Sequence, residues 1–200
     1  MNQINNLIFT LALLITSTAF ALGQPAKNYI YLPNREANGP NVRAEKALFD
    51  SRFSGAQIVY AWRSLEPVKD QYDFSAIKQD FGYLSSINKK LWIQLQEKSF
   101  QTNRKNVPND LLLDPIYKGG VLKQSMLSAS ERDPKKPETD DEYRWSAKMW
   151  EKPVRDRFQK LIAASGKELD GQIEGMNFSE SPIEIGIEQP DGTTVSPKGF

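Results

Sequence analysis

Residues 56–62 read AQIVYAW, an almost unbroken apolar run of strand length, and a second such run, LWIQLQ, follows at residues 91–96. An apolar stretch this short suits a parallel strand buried on both faces. Between the two runs, Phe74, Ile77, Phe81, Leu84 and Ile87 recur at three- and four-residue spacing. That periodicity predicts an amphipathic helix over residues 74–89 with one side against a sheet. Strand, helix and strand within about forty residues form a right-handed βαβ unit. The sheet is therefore expected to be parallel.

The rest of the chain extends the alternation. NYIYL at residues 28–32 predicts a first strand, ended by Pro33 and Asn34. Asn41 is placed to cap a helix over residues 42–53, before Gly55. Residues 97–141 are polar, with prolines at 108, 115, 134 and 137 and the charged run ERDPKKPETDDE, and predict a long surface loop with a short helix around 109–113. Helical spacing returns at Val154, Phe158, Leu161, Ile162 and Ser165, with Pro153 in the first turn and Gly166 as the stop. QIEGMNF at residues 172–178 predicts one more strand. Alternating strands and helices imply an α/β fold, either an open doubly wound sheet or a closed (β/α)8 barrel. Both place ligands at the carboxyl ends of the strands.

The first residues, MNQINNLIFTLALLITSTAFALGQ, combine an apolar run over residues 7–15 with a small-x-small pattern at Ala19-Phe20-Ala21. They predict a signal peptide over residues 1–21, although no Lys or Arg precedes the apolar run. The product is then secreted or periplasmic. Membrane spanning needs ~20 consecutive apolar residues, and no segment offers them, so no membrane span is expected. Removing residues 1–21 from 200 leaves 179, enough for one domain at residues 22–200.

With 26 basic and 25 acidic residues the chain has no field to steer it onto nucleic acid or an anionic membrane. Its partner is expected to be neutral or small. The absence of cysteine excludes a disulfide scaffold. The absence of histidine excludes Ser-His-Asp and Cys-His catalysis and an ordinary catalytic zinc site. An enzyme built from this chain would take its acid and base from carboxylates, Lys or Tyr. No metal and no organic cofactor is expected.

The carboxyl ends of the predicted strands carry Trp62, Arg63 and Glu66, then Gln94, Gln96 and Lys98, then Asn177 and Glu180. A sugar needs these types: an aromatic face for the pyranose ring, amides and Arg for its hydroxyls, and a carboxylic acid to protonate the glycosidic oxygen. A purely structural reading stands beside this one. Trp62 would then be a core residue, and Gln94 and Gln96 would hydrogen-bond each other within the sheet.

The stretch YAWRSLEPVKDQYDFSAIKQDF, followed by KKLWIQLQEKSF, resembles glycoside hydrolases of the large retaining (β/α)8 clan, beta-galactosidase-like and cellulase-like members included. The residues that carry the likeness are Trp62, Leu65, Glu66, Pro67, Tyr72, Asp73 and Phe74, within a match over about residues 55–100 and more loosely 143–185. The resemblance implies a TIM-type barrel of which about four βα units are present. It implies a general acid/base Glu after an Asn at the end of the fourth strand, and a nucleophile Glu at the end of the seventh. Here the pair is Asn177 and Glu180, separated by two residues, with Glu174 as a second choice of the same strand parity. Arg63 would hold the nucleophile's carboxylate.

A barrel of this type needs ~250 residues, so a seventh strand is not expected within these 179. Retaining hydrolysis needs two carboxyls ~5 Å apart and inverting hydrolysis needs them roughly 6.5 to 9.5 Å apart, so Glu180 alone cannot fill both roles. Three expectations remain open: a truncated glycoside hydrolase inactive by itself, a smaller site pairing Glu180 with Glu66 or Glu174, or an exported non-catalytic carbohydrate-binding or envelope protein. A nucleotide site finds no support, because no glycine-rich phosphate loop follows a strand. The acidic residues 139–142 lack the order of a calcium loop.

Overall fold

The computed structural model describes residues 26–33, 41–99, 101, 103–125 and 143–179. The predicted signal peptide, Glu180 and the acidic run at 139–142 lie outside the described residues. The main sheet contains β1 (Tyr29–Leu32), β2 (Gly55–Ala61), β3 (Lys90–Gln96) and β6 (Gly175–Phe178) in that spatial order, all parallel. Chain order and spatial order thus agree, and no strand is skipped on the way across. A second sheet pairs β4 (Val121–Ser125) with β5 (Tyr143–Ala147) antiparallel, inserted between β3 and the last helix.

Among the described residues, four α-helices accompany the strands: α1 (Trp62–Leu65), α2 (Ser75–Ser86), α3 (Asn109–Leu113) and α4 (Lys152–Leu169). The two long ones cover one face of the main sheet. Ile58, Tyr60, Leu91, Ile93 and Leu95 join Ile77 and Leu84 of α2 and Val154, Phe158, Leu161 and Leu169 of α4 in a single buried core. Strand residues alternate between faces, so Gln57, Val59, Trp92, Gln94, Gln96, Gly175 and Asn177 share the opposite face. That face is mostly polar and aromatic.

Glycine is required where β2 and β3 begin. A Cβ on Gly55 would stand 1.9 Å from the Lys90 carbonyl oxygen. Gly175 meets a similar limit, since its Cβ would come within 2.7 Å of the Trp92 ring.

Three predicted elements differ from those observed. Residues 42–53 form not one helix but two 3₁₀ turns, Val42–Ala44 and Lys46–Phe49. Glu45 is extended between them, and its side chain accepts from the Ala47 N–H. Such a bond competes with helix continuation. Val42 and Leu48 are both buried, yet six residues of α-helix would set them about 120° apart around the helix, and the break lets both face the core. The predicted loop at 97–141 holds α3 where a short helix was expected, but also β4, whose partner β5 comes after it in the chain. Helix α4 runs past the predicted stop at Gly166, because the buried series Leu161, Ser165, Leu169 continues through it. The left-handed residue after it is Gly171, with φ 73°.

Candidate functional site

The open face of the sheet carries a row of side-chain hydrogen bonds across three strands. Gln57 Nε2 donates to Gln94 Oε1 at 2.9 Å and to Asn177 Oδ1 at 3.3 Å, and Trp92 Nε1 donates to the same Asn177 oxygen at 2.9 Å. Register makes this possible, since Gln57 lies level with Trp92, and Gln94 lies beside Asn177. Tyr29 extends the row, its ring edge-on to Trp92 with centroids 5.9 Å apart. These bonds turn the oxygens of Gln94 and Asn177 inward to donors. The Gln94 Nε2 group donates to no partner among the described residues. It remains able to bond an oxygen of a ligand.

Further toward the carboxyl ends of β1, β2 and β3 lies a depression of about 180 Å³ whose walls include Tyr31, Pro33, Val59, Gln96, Ser99 and Asn106. Asn106 arrives on the loop that crosses the strand ends and is buried. Its carbonyl oxygen accepts from the Arg63 N–H at 3.0 Å, and its Nδ2 donates to Gln96 Oε1 at 3.2 Å and to the Lys98 carbonyl at 2.5 Å. Both Nδ2 hydrogens are thereby used. The Asn106 Oδ1 is shut away from solvent and accepts no hydrogen bond among the described residues. A buried acceptor left without a donor costs about 1–3 kcal/mol, which is the kind of feature a ligand or ordered water relieves.

The residues of the Trp-x-x-Leu-Glu-Pro turn serve the core instead. Trp62 is fully buried at the head of α1, its ring centroid 4.9 Å from that of Phe158. It presents no face on which a sugar ring could stack. Its Nε1 donates to Glu66 Oε2 at 2.7 Å. Glu66, also fully buried, accepts through Oε1 from the Asp70 N–H at 2.9 Å and from Arg157 Nε at 2.8 Å. Arg157 further donates to Asp110 on α3 and to the Tyr117 hydroxyl. Burial opposes its charge, but hydrogen bonds to Asp110, Glu66 and Tyr117 outweigh that and raise its pKa further. Every oxygen of Glu66 is thus engaged in clamping α1, the following turn and α4 together. Asp73 of the same stretch accepts from the Ser75 N–H at the start of α2.

Three further carboxylates bear on the search for an acid and a base. Glu174 lies at the amino end of β6, its N–H bonded to Leu91 O near the start of β3. It therefore belongs to the rim opposite the depression. The hydrogen bond and charge of Lys27, 2.6 Å away, hold its carboxyl below the usual range. Glu97, directly after β3, has an Oε2 shielded from solvent with no hydrogen-bond partner among the described residues, and burial pushes its carboxyl above the usual range. Glu180 lies outside the described residues.

Of the residues expected at the rim, Gln94 and Asn177 meet in one hydrogen-bonded row. Gln96 lies on the same face two positions further along β3 and lines the depression. Gln94 and Gln96 bond Gln57 and Asn106, not each other. Arg63 is joined to this end through its backbone contact with Asn106, while Trp62 belongs to the other side of the sheet. Sequence reasoning missed Gln57, Trp92, Asn106, Glu97 and Arg157. The alternation in LWIQLQ, which puts Trp92 on the same face as Gln94 and Gln96, was the signal that could have found Trp92. Nothing local singled out Asn106.

A larger depression, about 620 Å³, lies between α2 and α4 on the outer side. The Lys78–Glu168 ion pair bridges it, so its charges neutralise each other. Among the described residues, no group of three or more carboxylates could hold a metal ion, and no helix is long and apolar enough to cross a membrane. Comparison with protein-family models and with curated proteins finds no match to this chain.

Proposed function

We propose that this chain is an exported carbohydrate-active protein of glycoside-hydrolase type, its four parallel strands being the first half of a (β/α)8 barrel. The observation that carries the reading is the open face of the sheet, where Gln57, Trp92, Gln94 and Asn177 form a connected polar row. An interior-facing layer of amides and indole suits a neutral ligand rich in hydroxyls, because each amide offers both donors and an acceptor. The unbroken strand order across the sheet supports a barrel over a doubly wound sheet, which reverses direction at a switch point.

In this reading Glu180, following Asn177, protonates the leaving oxygen of a glycoside, and Arg63, Gln94, Gln96 and Asn177 orient the sugar. Trp62 acts by supporting the turn that carries Arg63. The test is release of reducing ends from a panel of β-linked glycosides by the complete protein. Glu180→Gln keeps the shape and removes the proton donor, so activity should fall to background with the fold intact; a variant as active as the wild type would remove Glu180 from the reaction.

A non-catalytic glycan-binding protein is the second reading. It is favoured by the engagement of Glu66 in the core and by the place of Glu174 on the opposite rim. Glycan binding without hydrolysis would select it.

A further inference from the structure

We propose that the depression at the carboxyl ends of β1, β2 and β3 is a subsite for one neutral, hydroxyl-bearing ring, held by Gln96 and, through it, by Asn106, with Tyr31 against its apolar face. The inference deepens the carbohydrate reading and rests on it. Among the described residues, no charged side chain lines this depression. Its polar groups are the amides of Gln96, Gln101 and Asn106 and the Ser99 hydroxyl, and its apolar groups are Pro33, Val59 and the Tyr31 ring. A carboxylate or phosphate would find no cation among these lining residues. A neutral ring with hydroxyls at its edge and C–H groups on its faces would find both kinds of partner.

The amide orientations define the polarity of the subsite. Asn106 Nδ2 is spent on Gln96 Oε1 and Lys98 O, so the acceptor Asn106 Oδ1 is left without a donor although the residue is only 2 % exposed. Gln96 Oε1 is spent in accepting, and its Nε2 makes no hydrogen bond among the described residues. Asn106 acts through Gln96: its Nδ2 holds Gln96 Oε1, which leaves Gln96 Nε2 as the unmet donor from which a ring hydroxyl accepts. Tyr31 is 53 % exposed at the edge of the same depression, an aromatic surface that the fold itself does not bury. The volume equals that of roughly six waters, so one ring fits and a chain of rings must continue outside it.

The experiment titrates the ¹⁵N-labelled protein with methyl β-glucopyranoside, methyl β-galactopyranoside and glucuronate while following the side-chain amide resonances. A neutral pyranoside should move the Gln96 and Asn106 amide pairs, and glucuronate should move them at least five-fold less at equal concentration. Tyr31→Ala removes only an exposed ring and should weaken the response at least five-fold with the backbone spectrum unchanged. Asn106→Asp should abolish it, and the same spectrum reports whether that variant is folded. Neutral sugars that perturb other residues while Tyr31→Ala behaves as wild type would overturn the subsite and leave the carbohydrate reading standing. A stronger response to glucuronate would overturn its neutrality. Failure of every sugar to perturb the protein would remove the carbohydrate reading and the subsite together.

Discussion

Arg157 Nε donates to Glu66 Oε1 at 2.8 Å across 91 positions of sequence, and both side chains are sealed from solvent. A buried pair of this kind is weak evidence of net stabilisation, because each charge has been taken out of water. Breaking it from one side is costly. Arg157→Met leaves Glu66 and Asp110 facing each other without their shared cation and should cost about 3–5 kcal/mol in denaturant unfolding. The double variant Arg157→Met/Glu66→Leu should recover part of that loss. A double variant as unstable as the sum of the two singles would show that the pair is not coupled as described.

The start of the sheet leaves no room for a side chain. Gly55→Ala would drive a methyl group into the Lys90 carbonyl and separate β2 from β3 at their first rung. A loss of about 1–3 kcal/mol is expected, at the scale of an overpacked core. Thermal unfolding measures it, and an unchanged midpoint would contradict the register at Gly55 and Lys90.

Glu97 should make stability fall as pH rises. Its folded-state pKa is raised by burial, so the folded protein holds this proton more tightly than the unfolded chain does. The contribution is favourable while the carboxyl is protonated, below the ordinary carboxylate range, and is lost as pH rises through the raised folded value. Glu97→Gln removes the titration. It should match the wild type near pH 4 and exceed it near pH 7 by about 1–3 kcal/mol, the cost of an unsatisfied buried group. Unfolding curves at the two pH values decide; a variant less stable than the wild type at pH 7 would mean that the carboxylate has a partner.

The sheet was legible from the sequence because burial on both faces writes itself into AQIVYAW, and the alternation in LWIQLQ shows which face is polar. Helices α2 and α4 were equally visible in their spacing. The two 3₁₀ turns were not, because side-chain caps such as Glu45 act on single backbone groups and leave no periodicity. The role of Glu66 was hidden for another reason. A Glu after a strand reads the same whether it faces a cleft or a buried Arg, and Arg157 lies too far along the chain to be associated with it. Asn106 was missed likewise: its importance comes from Gln96 and Lys98 meeting it in space.

If the polar face of the parallel sheet binds a neutral glycan, calorimetric titration of the protein with neutral β-linked oligosaccharides will show it. Saturable binding is expected, weakened at least ten-fold, or about 1.4 kcal/mol, in Gln94→Leu with the fold retained. Equal affinity in the wild type and Gln94→Leu, or no binding of any neutral oligosaccharide, would contradict it.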